Sequence, residues 1–292
     1  MIPFTFLYPL DLDENIRAKQ LEEFAESGGK HMVLSDPILK MLAGNPSVRK
    51  QMKRQVAGFG LDFVDSHAPY GYECDLMLPD ELADIVYARQ MLSLELVHDF
   101  GIKTCVFHIG NPPLFMEYTL DELRSFVFRA LERVLKRAEE LDIIICIENI
   151  FKPINTVSMI LELLKKFDSP HLGVCFDSGH ANIMEKGMAF SDSRPWGQWE
   201  GRGEIEWEKD VLKKLLPHIV TCHLHDNNGS QDQHKLPGQG TVNWQEVLSI
   251  LPTAPKLQCM QSEVALLRNP MPVSQLIDTW KGYLAGTKAC IK

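Results

Sequence analysis

The stretch "LDELRSFVFRALERVLKRAEELDIIICIEN", residues 120–149, joins two periodicities. In its first 22 residues apolar side chains return every three or four positions, the spacing of one buried helix face. After Leu141 the pattern changes to the run "DIIICIEN", which is apolar without alternation and ends on Glu148. An unbroken apolar strand beside an amphipathic helix is the mark of a parallel sheet covered by helices.

The same unit recurs outward in both directions. Toward the N-terminus lie "IPFTFLY" with "ENIRAKQLEEFAES", "KHMVLSD" with "PSVRKQMKRQVAGF", "LDFVDSH" with "DELADIVYARQMLSLELVHDF", and "IKTCVFHIG". Toward the C-terminus lie "TVSMILELLKKF", "LGVCFDSGH" with "GEIEWEKDVLKKLL", "IVTCHLHDN" with "NWQEVLSIL", and "LQCMQSEV" with "PVSQLIDTWKGYLAG". Eight strand–helix repeats in 292 residues predict a closed (β/α)8 TIM barrel, a single domain over residues 1–292. The alternative is an open doubly wound sheet. It is disfavoured because no glycine-rich dinucleotide fingerprint follows the first strand.

Composition narrows the function. A net charge of −9 argues against a protein held to nucleic acid by bulk electrostatics. The seven cysteines are scattered without a CxxC pair and read as reduced core residues in a cytoplasmic protein. No apolar run reaches the length of a membrane span, and the N-terminus lacks the basic start of a signal peptide.

The ends of strands three to eight carry the chemistry: His67, His108, Glu148, Asp177, His223 and Glu263, spaced 41, 40, 29, 46 and 40 residues apart. In a parallel barrel these ends share one mouth. Neutral imidazoles and carboxylates ligate a divalent cation, and clustered carboxylates repel one another without one. Singly, each residue has an ordinary explanation. An Asp after a strand usually caps a helix, and Asp36 is assigned that role. Six ends in succession are not explained by capping. His180 in "DSGH" and the pair Asp232 and His234 in "HLHDNNGSQDQH" extend the set. His225, two residues beyond His223, is open between a supporting residue, a substrate contact and a spare ligand. His31, His98, His171 and His218 fall at the other end of the barrel and read as structural.

The pieces "HAPY", "VFHIG", "IEN", "FDSGH", "HLHDN", "DQHKLPGQG" and "SEV" resemble the xylose isomerase-like TIM-barrel superfamily, which includes sugar isomerases, epimerases and endonuclease IV-type enzymes. The resemblance implies a four-ligand centre of Glu148, Asp177, His223 and Glu263 for one Zn, Mn, Co or Mg ion. In the endonuclease branch His67, His108, His180, Asp232 and His234 would extend it to as many as three ions. Two departures lean away from that branch. Gly71 follows "HAPY" where the nuclease places a leucine, and "HLHDNNG" replaces a pattern closer to "HLND". The expected activity is therefore isomerisation or epimerisation of a small sugar or sugar phosphate. A metal-polarised carbonyl would be paired with proton transfer by Glu148 and Glu263 through an enediolate, and His180 would hold a substrate oxygen. Hydrolysis of DNA at abasic sites is the alternative. Nucleic acid is not the expected partner. The basic helix residues Arg124, Arg129, Arg133, Lys136 and Arg137 are interleaved with acids and read as a solvated face. The loop "FSDSRPWGQWEGRGEIEW" offers Arg194, Trp196, Trp199 and Arg202 as substrate-binding residues on a lid.

Overall fold

The computed structural model describes residues 1–71, 74, 76, 80–110, 118–187, 199 and 204–290. Arg194, Trp196 and Arg202 lie outside the described residues.

The opening stretch folds as its two periods require. Helix α5 (Leu120–Leu141) buries Leu123, Val127, Leu131, Val134, Leu135 and Ala138 on one face. It starts in a capping box between Thr119 and Glu122 and stops at Asp142, which takes the left-handed conformation at φ 54°. Strand β5 (Ile144–Glu148) follows and is buried from Ile145 onward. Each such Ile or Leu side chain removed from water contributes about 1.5–3 kcal/mol.

The remaining strands are β1 (Ile2–Phe6), β2 (His31–Leu34), β3 (Asp62–Ser66), β4 (Thr104–Phe107), β6 (Leu172–Asp177), β7 (Ile219–Leu224) and β8 (Met260–Ser262). All neighbours pair in parallel, in the order β3-β2-β1-β8-β7-β6-β5-β4. The two ends of that order meet at one parallel bridge, His67 to Val106, with the Ala68 amide donating to the Val106 carbonyl at 2.9 Å. The (β/α)8 barrel is thereby nearly closed.

Three local expectations are corrected. An additional helix, α2 (Asp36–Gly44), precedes α3 (Pro46–Gly58) between β2 and β3. Ser35 occupies its cap position and Asp36 is already inside its first turn, so Asp36 is not the cap. The helix expected over 203–216 is confined to α8 (Val211–Leu215), because Asp210 turns left-handed at φ 56° and the chain ahead of it is not helical. A short strand unforeseen in the sequence, β9 (Ala289–Cys290), adds in parallel beside β1.

The outer helices α1 (Glu14–Glu26), α4 (Asp80–Asp99), α6 (Val157–Phe167), α9 (Trp244–Ile250) and α10 (Val273–Leu284) complete the ring, while α7 (Ser178–Lys186) rises directly from β6. Inside the barrel, beneath the mouth, the buried Asp65 carboxylate accepts from Thr104 Oγ1 at 2.6 Å, Thr221 Oγ1 at 2.5 Å and the Ser66 amide at 2.8 Å. Such partners make a buried carboxylate tolerable. The cysteines at 74, 105, 146, 175, 222 and 259 are all buried and free, and burial pushes the Cys105 thiol up to about 12. Among the described residues no helix is long and apolar enough to cross a membrane.

Candidate metal centre and active site

Glu148 and Asp177 are the last residues of β5 and β6. His223 is the penultimate residue of β7, and His67, His108 and Glu263 directly follow β3, β4 and β8. Asp177 serves two roles at once. It caps α7 by accepting the His180 amide at 2.6 Å, and its other oxygen lies 3.1 Å from His225 Nε2. Asn149 holds β5 to β6 by exchanging two bonds with the Asp177 backbone at 2.9 and 3.0 Å, and its carbonyl accepts His180 Nδ1 at 3.0 Å. The last residue of "IEN" thus fixes the ring that the neighbouring carboxylates face.

The loop after β7 carries Asp232 and His234 back over the mouth. It is anchored by buried Asp226, which accepts from the amides of Asn227, Gly238 and Val242 and from Trp244 Nε1 at 2.8–3.1 Å. Asp226 and Lys235 also exchange two backbone bonds at 2.8 and 2.9 Å. His234 sits at φ 49°, a region rarely used outside glycine. It is held there by its Nδ1 donating to the Glu263 carbonyl at 2.9 Å and by the Ala265 amide donating to its own carbonyl at 3.2 Å.

All nine predicted ligand residues converge. Glu148 Oε2 lies 3.0 Å from His108 Nε2, 3.6 Å from His67 Nε2 and 3.2 Å from His223 Nδ1, while Oε1 lies 3.0 Å from His180 Nδ1. His223 Nδ1 is also 3.3 Å from Glu263 Oε1 and 3.9 Å from Asp177 Oδ2. On the other flank Asp232 Oδ2 lies 3.0 Å from His234 Nε2 and 3.6 Å from His180 Nε2. Ligands about 2.0–2.2 Å from a tetrahedral ion stand roughly 3.3–3.5 Å from each other, and the donors here bracket that separation.

Hydrogen bonding alone does not satisfy the group. Among the described residues, neither ring nitrogen of fully buried His223, its close carboxylates notwithstanding, nor Asp232 Oδ1 makes a hydrogen bond of proper geometry. Orphaned donors and acceptors among converging carboxylates and imidazoles fit a cation. Among the described residues the groups close enough to share an ion are His67, Glu148 and His223; Asp177, His180 and His225; His225, His234 and Glu263; and Asp177, His223 and Glu263. His67 and His108 beside Glu148, and His180, Asp232 and His234 opposite, form nitrogen-rich flanks.

The charges support each other. Burial disfavours the charged form of every group here, and proximity overrides it in most. His108 and His223 hold the Glu148 carboxyl well below the usual range, and His234 and His180 do the same for Asp232. Against burial, Glu263 and Glu148 push His223 up to about 10, and Asp232 pushes His234 up to about 9. At His108 burial wins over Glu148, and the imidazole is held down at about 4.

His225 is fully buried with the ligands. Its Nε2 faces Asp177 Oδ2, 3.1 Å away, and its ring stacks on His234 at 4.0 Å and 10°. The lone pairs of two parallel rings cannot both point at one ion. The stacking therefore favours a supporting role for His225 over that of a ligand sharing an ion with His234.

A cavity of about 350 Å³ opens above these residues, at the lower end of small-molecule sites. Its aromatic walls are Tyr70, tilted over His108 at 4.6 Å, and Phe151, edge-on to His180 at 5.3 Å. Trp199 is buried behind this wall and donates its indole N–H to the Phe151 carbonyl at 3.2 Å. The ring that reaches the cavity is Phe151. Tyr70, Phe151, Lys152, Gln261 and Arg268 were not singled out from the sequence. "HAPY" and the residues after "IEN" contained a signal for the first three. Arg268 had none.

Residues 21–256 match the family model of the xylose isomerase-like TIM barrel. The chain belongs to this family. An uncharacterized relative, MJ1311 of Methanocaldococcus jannaschii, is 29% identical over 189 residues, which cover 63% of this chain and 58% of that protein. The alignment thus spans little more than half of the relative's length. Among solved structures, a D-tagatose 3-epimerase-like protein superposes with TM-score 0.72 at 21% identity, covering 98% of this chain and 97% of its own. The 3-keto-D-glucoside 4-epimerase YcjR from E. coli superposes with TM-score 0.70 at 17% identity, covering 98% and 99%. At these identities the likeness to both structures is one of fold.

Proposed function

We propose that the protein is a divalent-metal-dependent isomerase or epimerase of a small sugar or sugar derivative. The observation that carries this is the approach of Glu148 and Glu263 to one atom, His223 Nδ1, at 3.2 and 3.3 Å, beneath a cavity of small-molecule size with two aromatic walls. The sugar epimerases among proteins of the same fold support it.

Glu148, Asp177, His223 and Glu263 would hold the cation, which when bound supplies Lewis acidity to a substrate carbonyl. Glu148 and Glu263 come from β5 and β8 and reach the floor from different sides. One carboxylate removes the proton from the carbon next to the carbonyl. The other, protonated beforehand, gives its proton to the enediolate, at the opposite face for epimerisation or at the neighbouring carbon for isomerisation. In isomerisation the hydroxyl proton also passes to the former carbonyl oxygen. The two carboxyls end with their protonation states exchanged. His180, fixed by Asn149, is placed to donate to a substrate oxygen from Nε2. Tyr70 and Phe151 cover the apolar faces of the sugar and displace water.

Incubation of metal-loaded protein with a panel of ketoses and aldoses in D2O tests the assignment. Deuterium is expected at the carbon next to the carbonyl and is expected to vanish in Glu263→Gln. A panel with no exchange would retire it.

The convergence of all nine donors favours phosphodiester hydrolysis as a second reading, since a multinuclear site can clamp a phosphate. The acidic net charge weighs against it. Multiple-turnover cleavage of an abasic duplex by trace protein would establish it.

A further inference from the structure

We propose that the substrate carries an anionic group, a phosphate or a carboxylate, at the end of its chain remote from the cation donors, and that Arg268 receives this group at the cavity rim. The inference deepens the isomerase reading and rests on it for the sugar part of the substrate.

Lys152 and Arg268 are the lysine and arginine among the described residues that line the cavity. Every carboxylate of the candidate cation site already faces imidazoles: Glu148 four of them, Asp232 His180 and His234, Glu263 His223 and His234, and Asp177 His225. Among the described residues no carboxylate lies within 4.0 Å of the Arg268 guanidinium. Asp36, the further carboxylate lining the cavity, lies 2.9 Å from Lys40.

The backbone beneath Arg268 is nonetheless fixed. The Arg268 amide donates to the Ala265 carbonyl at 2.9 Å, and the Ala265 amide donates to the His234 carbonyl at 3.2 Å. The Asn269 side chain donates to the carbonyls of His234 at 2.9 Å and Gln233 at 3.2 Å. The turn that bears Arg268 is thus fastened to the loop that bears Asp232 and His234, so the fold holds the Arg268 backbone beside the mouth. A guanidinium fork is suited to donate two parallel bonds to a phosphate or carboxylate. Arg268 stands on the Tyr70 side of the cavity, where its charge acts on the Tyr70 hydroxyl. Lys152 follows Phe151, and its charge acts on His108. Lys152 and Arg268 are the lysine and arginine charge that the described lining offers an acidic substrate.

The test is calorimetric titration of metal-loaded protein with a neutral ketohexose, its 6-phosphate and the corresponding 6-carboxylate. The acidic ligands are expected to bind about tenfold tighter or better. In Arg268→Gln that preference is lost, and Arg268→Lys restores part of it. Comparison of phosphate with carboxylate identifies which anion the rim takes. Equal binding of neutral and acidic sugars, a preference that survives Arg268→Gln, or binding of none of the three overturns the proposal. Deuterium exchange on the same ligands separates the two ideas. Arg268-dependent binding without exchange retires the isomerase and leaves the anion subsite. Exchange with no preference for the acidic ligands does the reverse.

Discussion

Gly179 lies against the ring of His225 so closely that a Cβ at position 179 would stand 2.0 Å from its Cε1. Gly179 is in α7 with an ordinary helical φ, so glycine is needed here for space and not for backbone freedom. Gly179→Ala is therefore expected to drive the imidazole off Asp177 and out of its stack on His234. Overpacking of this kind costs about 1–3 kcal/mol. A drop in Tm with reduced cation content is the expected readout. The double variant Gly179→Ala/His225→Asn should recover much of the Tm, and a strictly additive loss would show that the two residues are not coupled.

The metal-free protein is expected to lose stability as pH rises. His223 and His234 have folded pKa values of about 10 and about 9, above the ordinary 6.5. Their contribution is thus complete below about 6.5 and is lost as pH climbs through 9 and 10. His108, held at about 4, acts in the other direction: its contribution is complete above 6.5 and is lost as pH falls toward 4. A thermal-melt series from pH 5 to 10 on chelator-treated protein checks both limbs. A flat profile above pH 7 would contradict the charges assigned here.

Cation uptake should release protons. A ligating imidazole must be neutral, and His223 and His234 are protonated near neutrality in the cation-free site. Titration with Zn or Mn in buffers of different ionisation enthalpy is expected to report net proton release that diminishes above pH 9. Zero release at pH 7 would refute the assignment.

Asp226 is expected to govern the outer flank without touching it. Asp226→Ala leaves four N–H donors unpaired, each costing about 1–3 kcal/mol if it stays buried. The loop from residue 228 to 240 should then become sensitive to protease, and cation content should fall. Asp226→Asn, which keeps some acceptors, should do less. Unchanged proteolysis in the alanine variant would show that the loop is held by other means.

The aromatic walls should act on binding more than on turnover. Phe151→Ala and Tyr70→Ala are each expected to raise KM about tenfold with a smaller change in kcat, the pattern of lost uniform binding. A change confined to kcat would place these rings in the chemistry instead.

The barrel was legible in the sequence because its signal is repeated. Each strand is an apolar run and each helix a stripe, so the misreading of a single unit, such as the helix missed at Asp36–Gly44, leaves the architecture intact. The convergence of the candidate ligand residues was legible because strand ends in a barrel share a mouth whatever their separation along the chain. Asp177 shows why the ordinary and the functional explanation need not compete: it caps α7 and faces the cation site with its two oxygens. The substrate-facing residues were less legible. Arg268 is an unremarkable arginine in "ALLRNP" until Asn269 is seen to tie its turn to His234. The role of Trp199 was displaced by one layer, since a tryptophan flanked by glycines signals a wall but not which side of it faces the cavity.

The single bridge by which His67 joins β3 to β4 has a consequence for the whole cylinder. Elsewhere adjacent strands of the barrel are laced by two to four rungs, and here the seam has one, made by a residue whose imidazole belongs to the mouth. His108 stands on the far side of that seam, its Nε2 3.2 Å from that of His67. An ion gripped by both rings would rivet the staves together, so amide exchange at Ala68 becomes a gauge of whether the mouth is filled.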